Sequence, residues 1–139
     1  MQRVSRAEVR VDGEVVGAIG AGILVLLGVE QGDGEQGVRG LAAKVARLRI
    51  FPGETKPIDR SLLDVKGAAL VVSQFTLCAD TSRGHRPSFL SAAPPGEASR
   101  LYGEFCAALR AEGLPVSTGR FGARMQVELV NDGPVTILL

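Results

Sequence analysis

The chain has 139 residues, 45% of them hydrophobic, which is enough for one continuous core in a domain of common size. Aromatic residues make up only 4% and Trp is absent, so the core must consist of aliphatic side chains, a composition that excludes a disordered chain. Sixteen basic and fifteen acidic side chains nearly cancel, so the net charge neither indicates nor excludes a nucleic-acid partner, which only a local patch can reveal.

The N-terminal segment and the two cysteines are typical of a cytoplasmic protein with no membrane partner. The first ten residues lack the apolar stretch of a signal peptide, and the longest apolar run, residues 23–27, is too short to span a bilayer. Cys78 and Cys106 lie far apart in apolar runs, which predicts free buried thiols and gives no disulfide framework and no zinc-ligand spacing.

The first third of the chain predicts a three-stranded meander followed by a helix. The pair Asp12-Gly13 separates two runs of β-type residues and predicts a hairpin, and a second turn at 20–22 precedes a buried strand over 23–29. From Glu35 the apolar residues follow the i, i+3, i+4, i+7 spacing of an amphipathic helix. These residues are Val38, Leu41, Ala42, Val45 and Leu48.

The middle of the chain predicts two strands and two loops. Residues 49–51 predict a short strand, and the polar, Pro-containing stretch that follows predicts a loop to Ser61. Residues 68–77 form the most strand-like stretch of the chain, and residues 80–95, with one glycine and three prolines, predict a second loop.

The last third predicts a helix and two short strands. Apolar residues at helical spacing predict a helix over 97–112, with Gly113 as its C-terminal stop. Alternating apolar residues predict strands at 125–129 and 135–137, with residues 131–134 as a hairpin tip between them.

The order of these elements predicts the fold class. Neither an internal repeat nor a linker divides the chain, so we expect a single domain over residues 1–139. Strands at both ends and two helices between them predict an α/β fold with mixed, largely antiparallel, barrel-like and layered sheets and two helices packed on one face.

A conventional hydrolytic site is not evident. His85 is the only histidine and lies in a loop between Gly and Arg, whereas Ser-His-Asp or Cys-His catalysis needs a histidine beside the nucleophile. The sequence contains no Gly-x-Ser-x-Gly elbow, P-loop, dinucleotide fingerprint or cluster of metal ligands, so we expect no metal.

Two polar segments stand out instead. Ser73-Gln74-Phe75-Thr76-Leu77 interrupts a strand that should be buried, and buried polar groups need hydrogen-bond partners, so this segment indicates a site or else a strand end that turns into solvent. Asn131-Asp132-Gly133-Pro134-Val135-Thr136, taken alone, is typical of a hairpin tip.

Together, the two segments resemble the signature of the D-aminoacyl-tRNA deacylase family. Further segments resemble that family, in the same order, over almost the whole chain. They are Gln2-Arg3-Val4, Gly28-Val29-Glu30, Leu48-Arg49-Ile50-Phe51, Ser61-Leu62-Leu63-Asp64-Val65, Arg86-Pro87-Ser88-Phe89, and Thr118-Gly119-Arg120-Phe121-Gly122 with Met125. Each piece is weak alone, but the ordered set is highly specific.

The resemblance implies a homodimer with a site at each end of the shared interface and a tRNA with an aminoacylated 3′ end as substrate. The Gly133-Pro134 bond is expected to be cis and to project into the partner's pocket, where main-chain carbonyls accept the substrate's α-amino group. An L side chain is then rejected, whereas D-amino acids, and glycine mischarged on tRNA(Ala), are accepted. Asn131 is expected to contribute to substrate binding and Met125 to line the adenosine pocket.

The resemblance also implies catalysis without a cofactor. An aminoacyl ester is already activated, so an oxyanion hole and a positioned water suffice. Main-chain N–H groups around Gln74, Phe75 and Thr76, next to Ser73, are expected to supply the hole, and the 2′-hydroxyl of the terminal adenosine is expected to assist the attack. Thr76 and Thr136 have no visible base, so we expect them to orient or pack, with Thr136 as the lesser catalytic candidate.

Two other functions are compatible with the sequence. One is a nucleic-acid-binding module without hydrolytic activity, since some animal relatives are linked to DNA replication origins. The other is a sibling deacylase with a trans Gly133-Pro134 bond that acts on an L-aminoacyl-tRNA.

Overall fold

A computed structural model describes all residues, Met1–Leu139, and contains six strands, two α-helices and one short 3₁₀ helix. In chain order the elements are β1 (Gln2–Val11), β2 (Glu14–Ile19), β3 (Gly22–Leu27), α1 (Glu35–Arg47), β4 (Ala68–Ser73), the 3₁₀ helix (Phe75–Cys78), α2 (Pro95–Ala111), β5 (Val116–Thr118) and β6 (Gln126–Thr136).

The strands form one mixed sheet that nearly closes into a barrel. β1 pairs antiparallel with β2, β3 and β6, while β3 pairs with β4 and β4 with β5 in parallel. The strand order is β2-β1-β3-β4-β5, with β6 also paired to β1. The two edge strands of this order, β2 and β5, approach each other, and the Ser117 hydroxyl donates to the Ala18 carbonyl oxygen at 3.0 Å. The mixed, largely antiparallel and barrel-like sheet of the sequence prediction is confirmed.

β3 and β4 are buried on both faces because the sheet curls around one side of them and the helices cover the other. Successive strand residues point to opposite faces, so alternate residues enter two different cores. Those that pack with the helices are Ile23, Val25, Leu27, Ala69 and Val71, and those inside the curled sheet are Leu24, Leu70 and Val72. Burial on both faces explains why these strands are continuous apolar runs in the sequence.

Both helices pack on the same face of the sheet, as predicted. Ala42 and Val45 of α1 share a core with Phe105 and Leu109 of α2, and all four are buried. Tyr102 of α2 donates its hydroxyl to the carbonyl oxygen of Val71 at 2.8 Å, so the hydroxyl is satisfied inside the core. Burial raises the pKa of this phenol.

The structure corrects the predicted strand over 68–77. β4 ends at Ser73, and Gln74 leaves the sheet with φ −144° and ψ 79° before the 3₁₀ helix begins. The apolar and β-branched composition of the segment predicts an extended backbone as far as Leu77. The last hydrogen bond to β3, however, is the one from Gln74 N–H to Leu27 O at 2.8 Å, directly after Ser73.

The structure differs from the predicted strands at three further places. Residues 49–51 form no strand and contribute only an isolated bridge between Phe51 and Arg60. The strands predicted at 125–129 and 135–137 are one strand, β6, so residues 131–134 are not a hairpin tip but an irregular part of a strand whose pairing with β1 shifts register twice. β5 was not predicted, because three residues are too few to show a period.

Cys78 and Cys106 are both free and buried, as predicted. No helix combines the length and the apolar character needed to cross a membrane.

Alanine substitutions at two glycines are expected to change stability in opposite directions. At Gly22 an added Cβ overlaps the carbonyl oxygen of Ala68 on the neighbouring strand, so Gly22→Ala is expected to lower the free energy of unfolding by about 1–3 kcal/mol. At Gly40, which is exposed on α1, an added Cβ meets nothing within 4 Å, so Gly40→Ala is expected to raise it by about 0.5–1 kcal/mol. Urea unfolding measures both, and an unchanged stability of Gly22→Ala would contradict the β3–β4 register.

Candidate functional site

The end of β4 opens into a cavity of about 740 Å³, which we call the β4-end cavity. Its walls come from the turn after β4, from the segment that leads into α2 and from the segment that leads into β6. Residues that define these walls are Ser73, Gln74, Phe75, Phe89, Met125 and Val127. Four of the residues predicted from the sequence, Ser73, Gln74, Phe75 and Met125, are therefore brought together here.

Two main-chain N–H groups in the turn after β4 have no acceptor in the chain; one belongs to Phe75, which lines the cavity, and the other to Thr76, which does not. The N–H of Gln74 donates to Leu27 O at 2.8 Å, whereas the N–H groups of Phe75 and Thr76, at the start of the 3₁₀ helix, donate to nothing. The first donors of a helix lack an intrahelical partner, and Gln74 gives no side-chain cap. The prediction that Gln74, Phe75 and Thr76 all offer a main-chain donor is therefore corrected to Phe75 and Thr76.

An aromatic pair forms the apolar wall of the cavity. The rings of Phe75 and Phe89 meet edge to face, with centroids 5.0 Å apart, and Phe75 is 57% exposed. Main-chain hydrogen bonds between Asp80 and Ser88, at 2.8 and 2.9 Å, close the loop that carries Phe89 toward the cavity. An exposed aromatic surface of this kind can take the flat face of a ring.

The cavity contains no side chain that can act as a base at neutral pH. None of its lining residues is an Asp, Glu, His, Lys, Arg, Cys or Tyr. The hydroxyl of Thr76 accepts a hydrogen bond from the amide of Gln74, and no group that could remove its proton is bonded to it. Cys78, further along the 3₁₀ helix, is buried, and this burial, with the charges of Glu30 and Asp33, raises the pKa of its thiol.

The second polar segment, residues 131–136, does not line the β4-end cavity. Asn131 and Thr136 are joined by a hydrogen bond from Nδ2 to Oγ1 of 3.0 Å, and Asn131 Oδ1 accepts the Val135 N–H at 2.8 Å. Thr136 lines a second cavity of about 430 Å³, together with Leu77 and the chain's two terminal segments. Gln2 Nε2 also donates to the Thr136 hydroxyl, at 3.3 Å, so the side chains hydrogen-bonded to this oxygen are amides and not bases.

Gly133 and Pro134 are exposed and do not line the β4-end cavity. The peptide bond between them is cis. Gly133 lies eight positions after Met125, a distance of at most about 26 Å along an extended strand at about 3.3 Å per residue. Asn131, Gly133, Pro134 and Thr136 are thus not assembled with Ser73, Gln74 and Met125 within one chain.

Arg3 is a residue of this region to which the sequence analysis gave no role. It is only 9% exposed, and its Nε donates to the carbonyl oxygen of Asp132 at 2.7 Å while its Nη1 donates to the carbonyl oxygen of Ile50 at 2.7 Å. A buried Arg is rare unless it is paired, so its role here is to hold the main chain just before Gly133. The only signal in the sequence is its place in the segment Gln2-Arg3-Val4.

Position 133 requires a glycine because of its backbone conformation and because of the atoms around it. Its φ of +145° lies in a region that L side chains rarely adopt, and an added Cβ would come within 2.9 Å of the Val135 nitrogen and 3.0 Å of Arg3 Nη2.

No group of three or more His, Cys, Asp or Glu side chains is placed to hold a metal ion.

Comparisons with known proteins point to one family. A family model described as D-Tyr-tRNA(Tyr) deacylase matches residues 1–139. A protein of Ruegeria pomeroyi named D-aminoacyl-tRNA deacylase is 63% identical over 137 residues, which are 99% of this chain and 94% of that relative. A protein of Roseiflexus with the same name is 63% identical over 139 residues, which are 100% of this chain and 90% of that relative.

Two solved structures are similar to the whole chain. One, named c-Myc DNA Unwinding Element Binding Protein, superposes with a TM-score of 0.91 at 41% identity and covers 98% of this chain and 93% of its own. Another, described as a structural analysis of a probable eukaryotic D-amino acid tRNA deacylase, gives a TM-score of 0.79 at 19% identity, covers 96% of this chain and 92% of its own, and shows the fold alone.

Proposed function

Because the chain belongs to the D-Tyr-tRNA(Tyr) deacylase family, we propose that it is an enzyme that hydrolyses the ester bond of D-aminoacyl-tRNA and releases the free D-amino acid and tRNA. Residues 1–139 act as one deacylase domain, matched by the family model from end to end. The tRNA substrate implies the cytoplasm as the compartment. The observation that carries this proposal is the pair of free main-chain donors on Phe75 and Thr76 in the turn after β4, where Phe75 lines the β4-end cavity.

The N–H groups of Phe75 and Thr76 form the oxyanion hole. Hydrolysis of an ester places negative charge on the carbonyl oxygen, and donors fixed before the reaction stabilise that charge without reorganisation. Both N–H groups lie in a turn anchored to the buried core by the Gln74 to Leu27 hydrogen bond, so their direction is fixed. No competing acceptor in the chain has to be displaced when the substrate oxygen arrives.

The β4-end cavity holds the terminal adenosine of the tRNA. Its volume lies within the range of small-molecule sites, its walls are largely apolar, and it contains no charged side chain. Phe75 and Phe89 offer aromatic surface on which a base can stack, and Met125 contributes a polarisable side chain that adapts to the ring. In this proposal Met125 lines the adenosine pocket.

A water molecule attacks the ester carbonyl, and the RNA assists it. An aminoacyl ester needs little activation, and the cavity lining contains no side-chain base that could remove the proton of the water. The 2′-hydroxyl of the terminal adenosine lies next to the scissile ester in the substrate itself, so it is the group that positions the water. Thr76 and Thr136 accept hydrogen bonds from side-chain amides and serve to orient their surroundings.

Selection by handedness requires a second copy of the chain. Since Gly133 and Pro134 do not line the cavity of their own chain, the Gly-cisPro motif that rejects L-amino acids is supplied by Gly133 and Pro134 of the partner subunit in a homodimer. Two features support a rigid wedge: Arg3 fixes the Asp132 carbonyl at 2.7 Å, and Asn131 fixes the Val135 N–H at 2.8 Å. A wedge that acts by excluding a side chain lets D-amino acids and glycine pass, including glycine mischarged on tRNA(Ala).

The wild-type protein is expected to deacylate D-Tyr-tRNA and glycyl-tRNA(Ala) and to leave L-Tyr-tRNA intact, because only the L side chain meets the wedge. Release of labelled amino acid from each substrate measures this. Equal hydrolysis of the D and L esters would contradict rejection by handedness and point to the sibling deacylase. No hydrolysis of any ester would point to a nucleic-acid-binding module without activity.

Removal of one oxyanion donor is expected to reduce turnover. Phe75→Pro deletes the N–H at the first helical position, where proline is tolerated, and Phe75→Ala keeps the N–H but loses the same ring. We expect kcat of Phe75→Pro for D-Tyr-tRNA to fall about 10²–10³-fold below that of Phe75→Ala. Circular dichroism of both variants verifies folding, and equal kcat values in two folded variants would remove Phe75 from the oxyanion hole.

Thr136→Ala is expected to keep activity within about tenfold of the parent, because a hydroxyl that only accepts hydrogen bonds is not the nucleophile. Loss of a true nucleophile costs about 10⁴–10⁶ in kcat, so the two outcomes are well separated. Steady-state deacylation of D-Tyr-tRNA measures the effect, with Thr136→Ser as the variant that retains the hydroxyl. Complete loss of activity in folded Thr136→Ala, restored in Thr136→Ser, would assign the nucleophile to Thr136.

A further inference from the structure

The guanidinium groups of this chain fall into distinct classes by their partners. Seven of the thirteen arginines form ion pairs with carboxylates, and Arg60 and Arg110 donate to main-chain carbonyl oxygens. The remaining four have neither an ion pair nor a hydrogen bond within the chain. They are Arg83, Arg86, Arg120 and Arg124, and all four are exposed.

These four arginines are not scattered over the surface. Arg120 and Arg124 bracket residues 121–123, which line the β4-end cavity, and Arg83 and Arg86 lie on the loop that runs to Phe89 on the same cavity. Main-chain hydrogen bonds between Asp80 and Ser88 close the base of that loop. The arginines without partners therefore occupy two of the segments that form the walls of one cavity.

The local charge at this cavity differs from that of the rest of the chain. The segments 80–89 and 119–125 contain these four arginines and one acid, Asp80, for a net charge of +3, whereas the whole chain carries +1 and the remaining residues together carry −2. Asp80 forms no ion pair, and its carboxylate accepts the Ser82 N–H at 2.9 Å. Two segments that contribute residues to the cavity lining thus carry a net positive charge, and their arginines have no intramolecular partner, as in a local patch that binds a polyanion.

We propose that Arg83, Arg86, Arg120 and Arg124 form a phosphate-binding rim that holds the RNA backbone next to the nucleotide in the β4-end cavity. This inference rests on the proposed function, since it takes that nucleotide as the 3′ end of a tRNA. The planar donor fork of a guanidinium matches the oxygens of a phosphate, and an arginine without an intramolecular partner breaks no ion pair when it binds one.

The rim and the cavity recognise different parts of the RNA. The cavity lining is uncharged and offers apolar surface and main-chain N–H groups to the terminal nucleoside, whereas the rim offers only positive charge. Contacts to phosphates position a nucleic acid without reading its sequence. The acceptor end of any tRNA therefore satisfies the rim, and discrimination is left to the aminoacyl group.

Binding of uncharged tRNA to charge variants tests the rim. Arg86→Gln/Arg120→Gln/Arg124→Gln removes three charges from the rim, and Lys44→Gln/Lys56→Gln/Lys66→Gln is a matched control that removes three exposed charges from residues without ion pairs that do not line the cavity. Dissociation constants for tRNA and for an acceptor-stem microhelix with a single-stranded 3′ end are measured by filter binding between 50 and 300 mM KCl, about the range over which phosphate contacts weaken strongly.

We expect the arginine variant to bind both RNAs at least about tenfold more weakly at low salt, with a salt dependence shallower by about 1 per arginine removed, and the lysine variant to stay within about twofold of the parent. Equal weakening in both variants, or none in either, overturns the rim. Weakening for full tRNA but not for the microhelix overturns its place at the acceptor end. Because uncharged tRNA has no ester, the result is independent of whether the wild-type protein hydrolyses D-Tyr-tRNA.

Discussion

The main-chain hydrogen bond from Gln74 N–H to Leu27 O is the contact on which the geometry of the β4-end site depends. β3 and β4 pair in register from Gly22 and Ala68 to Leu27 and Ser73, and this bond follows directly after the last pair. One residue later the chain has turned, and the N–H groups of Phe75 and Thr76 are left without acceptors. Because both strands are buried on both faces, the free donors are fixed by the core of the protein rather than by a mobile loop.

A second constraint acts on the main chain around Gly133 and Pro134. Arg3 lies in β1 and reaches the carbonyl oxygens of Asp132 and Ile50, and Gly133 fits beside it only because it has no side chain. The main chain at Gly133 and Pro134 is therefore held firmly while remaining exposed. A rigid, exposed segment that does not reach the cavity of its own chain is suited to act on another copy, which is the physical basis for proposing a homodimer.

In the proposed mechanism the site acts through fixed dipoles and charges rather than through reactive side chains. No titratable side chain lines the cavity, and the nearby Cys78 thiol has a pKa that burial raises, so acid–base chemistry by the protein is minimal. The four arginines that are free of intramolecular partners do not line the cavity, and in our proposal they attract a polyanion beside its uncharged interior. This arrangement suits an ester that is already activated and an RNA that brings a hydroxyl to the reaction.

Much of this protein could be predicted from its sequence because the signals involved are local. The apolar runs of β3 and β4 and the helical spacing in α1 and α2 indicate which faces are buried. The two polar segments, residues 73–77 and 131–136, carry the resemblance to the deacylases. The sequence therefore determined the fold class and the helices, and it predicted which residues to consider as the site. Only the tertiary structure decided that β4 ends at Ser73, that Phe75 and Thr76 keep free N–H groups, and that Arg3 holds Asp132 from 129 residues away. The reason is physical: whether a donor is satisfied depends on which distant acceptor the fold brings to it, and no local periodicity contains that information.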